Sequence, residues 1–125
     1  MRMVQDPKEI QSSKRIQELL NIGGGCREFV AELLMEFHEQ APTLMEGMKK
    51  GCETGNARLA EQSAHKLKGS CRELGFEEVQ QLCHQFERLC RVSDLPNASL
   101  LLLDIESSYP RVEIEINDFL KGHSA

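Results

Sequence analysis

Residues 57–90 read ARLAEQSAHKLKGSCRELGFEEVQQLCHQFERLC. In the first half, Ala60, Ala64, Leu67, Cys71 and Leu74 recur at the three- and four-residue steps of one helical face. Asn56 is placed to cap the start of this helix, and Gly75 to end it in a left-handed conformation. A second helix follows at once, with Glu77 and Glu78 in its first turn and a wide apolar face of Phe76, Val79, Leu82, Cys83, Phe86, Leu89 and Cys90. So short a connection makes the two helices antiparallel neighbours.

The same period continues outward. Upstream, CREFVAELLMEFHEQAPTLMEGMKK (residues 26–50) aligns Phe29, Leu33, Phe37, Ala41, Leu44 and Met48 on one stripe. Pro42 falls inside it and predicts a kink, and Gly51 and Gly55 are expected to break the chain. Before that, Ser12 or Ser13 can cap a short helix carrying Ile16, Leu19 and Leu20, which ends ahead of a loop at Gly23, Gly24 and Gly25. Downstream, SDLPNAS (residues 93–99) reads as a loop, and Ile105, Tyr109, Val112, Ile116 and Phe119 keep helical spacing beyond it. VEIEIN (residues 112–117) also alternates like a strand, but a lone strand has no partner in a helical chain, so a helix bent near Pro110 is preferred. The expected class is all-α.

The 125 residues suit a single domain spanning 1–125, with its core at about 26–120 and flexible ends at 1–11 and 121–125. Apolar residues at 40% and charged residues at 28% suffice for one core and exclude disorder. No apolar run approaches the ~20 residues of a membrane span, and MRMVQDPKE has no signal-peptide h-region. Fifteen Lys+Arg against twenty Asp+Glu give a net charge of −5, which opposes binding to nucleic-acid phosphates. Cys26, Cys52, Cys71, Cys83 and Cys90 form an odd set without a C-x-x-C pair, read as reduced thiols of a cytosolic or nuclear protein. Cys71, Cys83 and Cys90 are assigned to core packing.

One polar cluster stands out. His65, Lys68, Gly69 and Arg72 share a face turned away from the Ala60/Leu67/Cys71 stripe. A glycine in mid-helix costs ~1 kcal/mol relative to alanine, which suggests a purpose at Gly69. Removing a side chain one turn from His65 opens the imidazole to another protein, and Lys68 with Arg72 supplies positive charge for an anion. The group fits an exposed nucleophilic histidine that receives phosphate. On spacing alone, a solvated helix face with a tolerated glycine remains the competing reading.

AHKLKGSCRELG (residues 64–75), followed by a helix bearing Val79, Cys83, Phe86 and Glu87, closely resembles the signature of histidine-containing phosphotransfer (HPt) domains, roughly H-x-L-K-G-[SA]-[SACG]-x-x-[LIV]-G. His65, Leu67, Lys68, Gly69, Ser70, Leu74 and Gly75 fall on motif positions, and the resemblance covers roughly residues 28–120. It implies an up-down-up-down four-helix bundle with a short additional N-terminal helix, acting as an intermediate in a phosphorelay. By that resemblance His65 Nε2 accepts phosphoryl from a receiver-domain aspartyl phosphate and passes it to another receiver aspartate. Lys68 stabilises the phosphoryl group, Gly69 admits the receiver, and Glu87 accepts a hydrogen bond from Nδ1. Glu61, Gln62, Lys66 and Arg72 surround His65 in helical projection and are candidate docking residues.

The Mg²⁺ that phosphoryl transfer needs is expected in the receiver, with no intrinsic cofactor here. No G-x-x-x-x-G-K-[ST] loop occurs, so autophosphorylation from ATP is not expected. The partners implied are receiver domains of hybrid sensor kinases and response regulators, met by a monomer that is freestanding or part of such a kinase. A competing class is a helical adaptor that binds receivers without carrying phosphate. A metal site built from His38, His65 and His84 is disfavoured, since none has an E-x-x-H spacing, and His123 lies in the terminal GHSA.

Overall fold

The computed structural model describes the backbone of residues 7–22 and 26–124, and side chains within 14–22 and 26–122. The glycine loop expected at 23–25, the first six residues, the His123 side chain and residue 125 lie outside the described residues. The elements are α1 (Pro7–Ile22), α2 (Arg27–Thr54), α3 (Ala57–Leu74), α4 (Glu77–Arg91) and α5 (Leu95–Ser124), with no strand among the described residues. Helices α2 to α5 form an up-down-up-down four-helix bundle. Each packs on the next, α5 closes the ring against α2, and α1 lies against α2, α3 and α4.

The caps of α3 follow its sequence. The Asn56 side chain accepts from the Leu59 N–H at 3.0 Å. Gly75, at φ 83°, donates to the Cys71 carbonyl at 2.8 Å, and the Phe76 N–H reaches the same oxygen at 2.9 Å. This turn drops Phe76 into the core, where its ring centroid is 5.2 Å from that of Phe37. Ala60, Ala64, Leu67, Cys71 and Leu74 of α3 meet Val79, Cys83, Phe86 and Cys90 of α4 in the buried core.

Several boundaries differ from the sequence expectation. Helix α1 begins at Pro7, so Ser12 and Ser13 lie inside it and residues 7–11 are helical. Proline at the first helical position has no N–H to leave unpaired and its φ suits the helix. Residues 121–124 continue α5, carried on by Phe119 and Leu120, which pack against the core. Most of the expected 93–99 loop is also helical. Asp94 caps α5 through the Asn97 N–H at 3.4 Å, and Pro96 falls in the first turn, where proline costs no hydrogen bond. VEIEIN is helical, and α2 and α5 run uninterrupted through Pro42 and Pro110, both at exposed positions.

The buried stripe of α2 begins one residue later than expected, at Val30, and runs through Leu34, Phe37 and Ala41 to Met48. Phe29 is exposed and Leu33 only half-buried, because Phe29 and Leu33 form a second apolar row beside the one that points inward. Gly51 does not break α2 but sits buried within it, and Gly55 ends the helix at φ 74°.

Candidate functional site

Four polar residues are buried among the described ones, and two of them, Lys68 and Glu87, face each other across α3 and α4. Their positions follow from helix period. Glu87 lies four residues after Cys83 and three before Cys90, within the apolar face of α4, so its carboxylate points into the α3–α4 seam. An unpaired carboxylate there would be costly, and both of its oxygens are engaged. Oε1 is 2.6 Å from Lys68 Nζ, and Oε2 is 2.6 Å from His65 Nδ1. Burial by itself pushes the Glu87 carboxyl up, but the hydrogen bonds and charges of Lys68 and His65 outweigh it and hold it below the usual carboxylate range.

This arrangement fixes the imidazole. A carboxylate only accepts, so His65 Nδ1 is the donor, and in the neutral ring Nε2 is left with the free lone pair. Glu87 is 1% exposed and the His65 side chain 66%, so a buried anion holds one end of a ring whose body stands in solvent. The site can therefore present an oriented nitrogen nucleophile.

Lys68 is not on the open face with Gly69 and Arg72, as the helical projection expected; it is buried. Its aliphatic stem lies along the seam and carries the ammonium to Glu87, with His84 Nδ1 at 3.4 Å. Gly69 and Arg72 are exposed, and a Cβ built on Gly69 would meet no atom within 4 Å. Gln62 and Lys66 are exposed beside His65, whereas Glu61 is half-buried and accepts from Arg91 Nε at 2.7 Å.

Two grooves flank His65. One, of about 600 Å³, is bounded by Leu44, Leu59, Glu61, Gln62 and Arg91; the other lies towards α2, against Glu39, Gln40, Thr43, Gly69 and Ser70. Leu44, assigned to the core stripe from sequence, is half-buried and lines both. Arg91 was missed, although it follows Glu87 by one helical turn; its partner Glu61 is thirty residues away.

The remaining histidines have separate surroundings. His38 Nδ1 is 3.4 Å from the Tyr109 hydroxyl, and His84 lies at Lys68. No group of three or more metal-capable side chains gathers among the described residues. Cys71, Cys83 and Cys90 are free and buried as expected, while Cys26 is exposed and Cys52 half-buried. Burial pushes the Cys83 and Cys90 thiols up to about 12 and raises Cys71 as well. No helix among the described residues is long and apolar enough to cross a membrane.

A family model described as the Hpt domain matches residues 32–118. The chain belongs to the Hpt domain family. Histidine-containing phosphotransfer protein 2 of Arabidopsis thaliana is 27% identical over 97 residues, which are 75% of this Hpt chain and 62% of that protein. Histidine-containing phosphotransfer protein 5 of the same plant is 24% identical over 97 residues, with the same shares. The chain thus spans 62% of the length of these curated relatives. Among solved structures, histidine-containing phosphotransfer protein B of Pseudomonas aeruginosa superposes with a TM-score of 0.77 at 19% identity, covering 84% of this chain and 89% of that one. Histidine-containing phosphotransfer protein ZmHP2 from maize gives 0.78 at 22%, covering 86% and 81%. At these identities the structures establish a shared Hpt fold.

Proposed function

We propose that this Hpt domain is a phosphocarrier in a phosphorelay, taking phosphoryl from the aspartyl phosphate of one receiver domain onto His65 and passing it to an aspartate of another. The observation that carries the reading is the exposed His65 ring locked through Nδ1 by buried Glu87. In the forward step the Nε2 lone pair attacks phosphorus, the Nε2–P bond forms, and the P–O bond to aspartate breaks, returning the carboxylate. The Nδ1 proton stays on the ring, where Glu87 offsets the positive charge that develops. The second receiver reverses these bonds.

Lys68 fixes Glu87 Oε1 and so holds the other carboxylate oxygen on His65, and its positive charge favours the incoming phosphoryl group. Gly69 leaves room for the receiver surface, with Gln62, Lys66 and Arg72 around the contact. Mg²⁺ held by the receiver's own acidic residues supplies the charge balance of the transfer. The domain is then a carrier rather than an autonomous kinase, working in the cytoplasm or in cytoplasm and nucleus.

The test mixes the protein with a phosphorylated receiver and Mg²⁺ and maps acid-labile phosphate by phosphohistidine-preserving mass spectrometry. Label is expected on His65 and absent from His65→Gln. Equal labelling of the two proteins would remove the carrier reading, and binding without label would indicate an adaptor.

A further inference from the structure

Arg91 enters the site from α4, bonded to one carboxylate and within ion-pair reach of a second. Its Nε donates to Glu61 Oε2 at 2.7 Å, and its Nη2 lies 3.9 Å from Glu87 Oε2, the oxygen that accepts from His65. Glu61 precedes His65 by one helical turn, and both line the 600 Å³ groove with Arg91. An anion on His65 Nε2 would therefore have a carboxylate as its neighbour on the same helix. Glu87 is paired with Lys68 and His65, whereas Glu61 is paired with Arg91 across the groove. Like charges one turn apart repel, and Arg91 cancels that repulsion.

We infer that Arg91 is a positioning residue that masks Glu61, so that the groove beside His65 accepts a phosphoryl group. The inference rests on the phosphotransfer reading of His65. Its effect belongs to the ionic field at Nε2 and not to receiver docking, which makes it testable with a small donor. With phosphoramidate, the Nε2 lone pair forms the N–P bond while the donor's P–N bond breaks, and ammonia leaves with the proton already on its nitrogen.

The experiment measures the initial rate of His65 phosphorylation by phosphoramidate in wild type, Arg91→Gln, Glu61→Gln and the double variant, at low and high salt. Arg91→Gln is expected to be about threefold slower at low salt, as suits a partly exposed charge interaction. Glu61→Gln should be no slower than wild type, and the double variant should regain the wild-type rate. The Arg91→Gln deficit should shrink as salt shortens the screening length from about 10 Å at 0.1 M to about 3 Å at 1 M. A double variant as slow as Arg91→Gln, a salt-independent deficit, or no deficit overturns the inference while leaving labelled wild type as a carrier. Wild type that takes no label from either phosphoramidate or a phosphorylated receiver overturns both.

Discussion

Gly51 and Gly69 both lie inside helices with ordinary negative φ, and each costs its helix about 1 kcal/mol relative to alanine. At Gly51 the chain itself supplies the reason. The α2–α3 crossing is so close there that a Cβ would sit 2.6 Å from the Ala60 amide nitrogen and 2.8 Å from the Asn56 carbonyl. At Gly69 a Cβ would touch nothing. Neither backbone conformation nor internal packing requires this glycine, which leaves the proposed receiver contact as the reason to test. Charges divide the same way. Arg111 and Glu78 pair at 2.6 Å on the exposed α4–α5 surface, where ion pairs contribute little, whereas Lys68 and Glu87 pair at the same distance with side chains only 11% and 1% exposed.

The largest effect expected is at the buried pair. Glu87→Ala leaves the Lys68 ammonium unpartnered in the seam and should destabilise the fold by about 3 kcal/mol in urea unfolding; an unchanged midpoint would show that the pair contributes nothing net. The acid limb refines this. Because the folded carboxyl is held below its usual range, its contribution is complete above the unfolded value of about 4.3 and is lost as pH falls through the lower folded value. Wild type should therefore lose stability in acid more steeply than Glu87→Gln, and parallel curves would contradict the assignment. Next in size, Gly51→Ala should cost about 2 kcal/mol, since the clash is with backbone that no rotamer change relieves. A stabilised variant would mean that the crossing opens freely.

The helix faces were legible because burial repeats with the helical period: α3 and α4 present inward the residues their spacing named. The first turns of α2 misled because Phe29 and Leu33 make a second apolar row beside Val30 and Leu34, and only packing selects between them. Pro96 read as a loop residue, although proline in a first turn behind Asp94 is a helix start. At the site, spacing and the mid-helix glycine single out His65, Lys68, Gly69 and Arg72, and the resemblance around residues 64–75 and 79–87 adds Glu87. What spacing withheld was depth. Lys68 projects as a surface residue yet is buried, because its stem is long enough to carry the charge into the seam. The Arg91–Glu61 bond joins residues whose meeting is decided only when α3 and α4 pack.

The smallest change in stability is the one that separates the two glycines most sharply. Gly69→Ala adds a methyl group that meets no atom of the chain and restores the lost helix propensity, so the protein should become more stable by up to about 1 kcal/mol. If the open face is where a receiver docks, the same methyl, and more so the side chain of Gly69→Leu, stands between that surface and His65. Transfer from a phosphorylated receiver should then slow while labelling by phosphoramidate, which needs no docking, keeps its wild-type rate. Stability and function would move in opposite directions at one position, which a glycine kept for internal packing cannot produce. Equal receiver-dependent rates for wild type, Gly69→Ala and Gly69→Leu would leave Gly69 a tolerated helix residue and remove the steric basis for placing the receiver there.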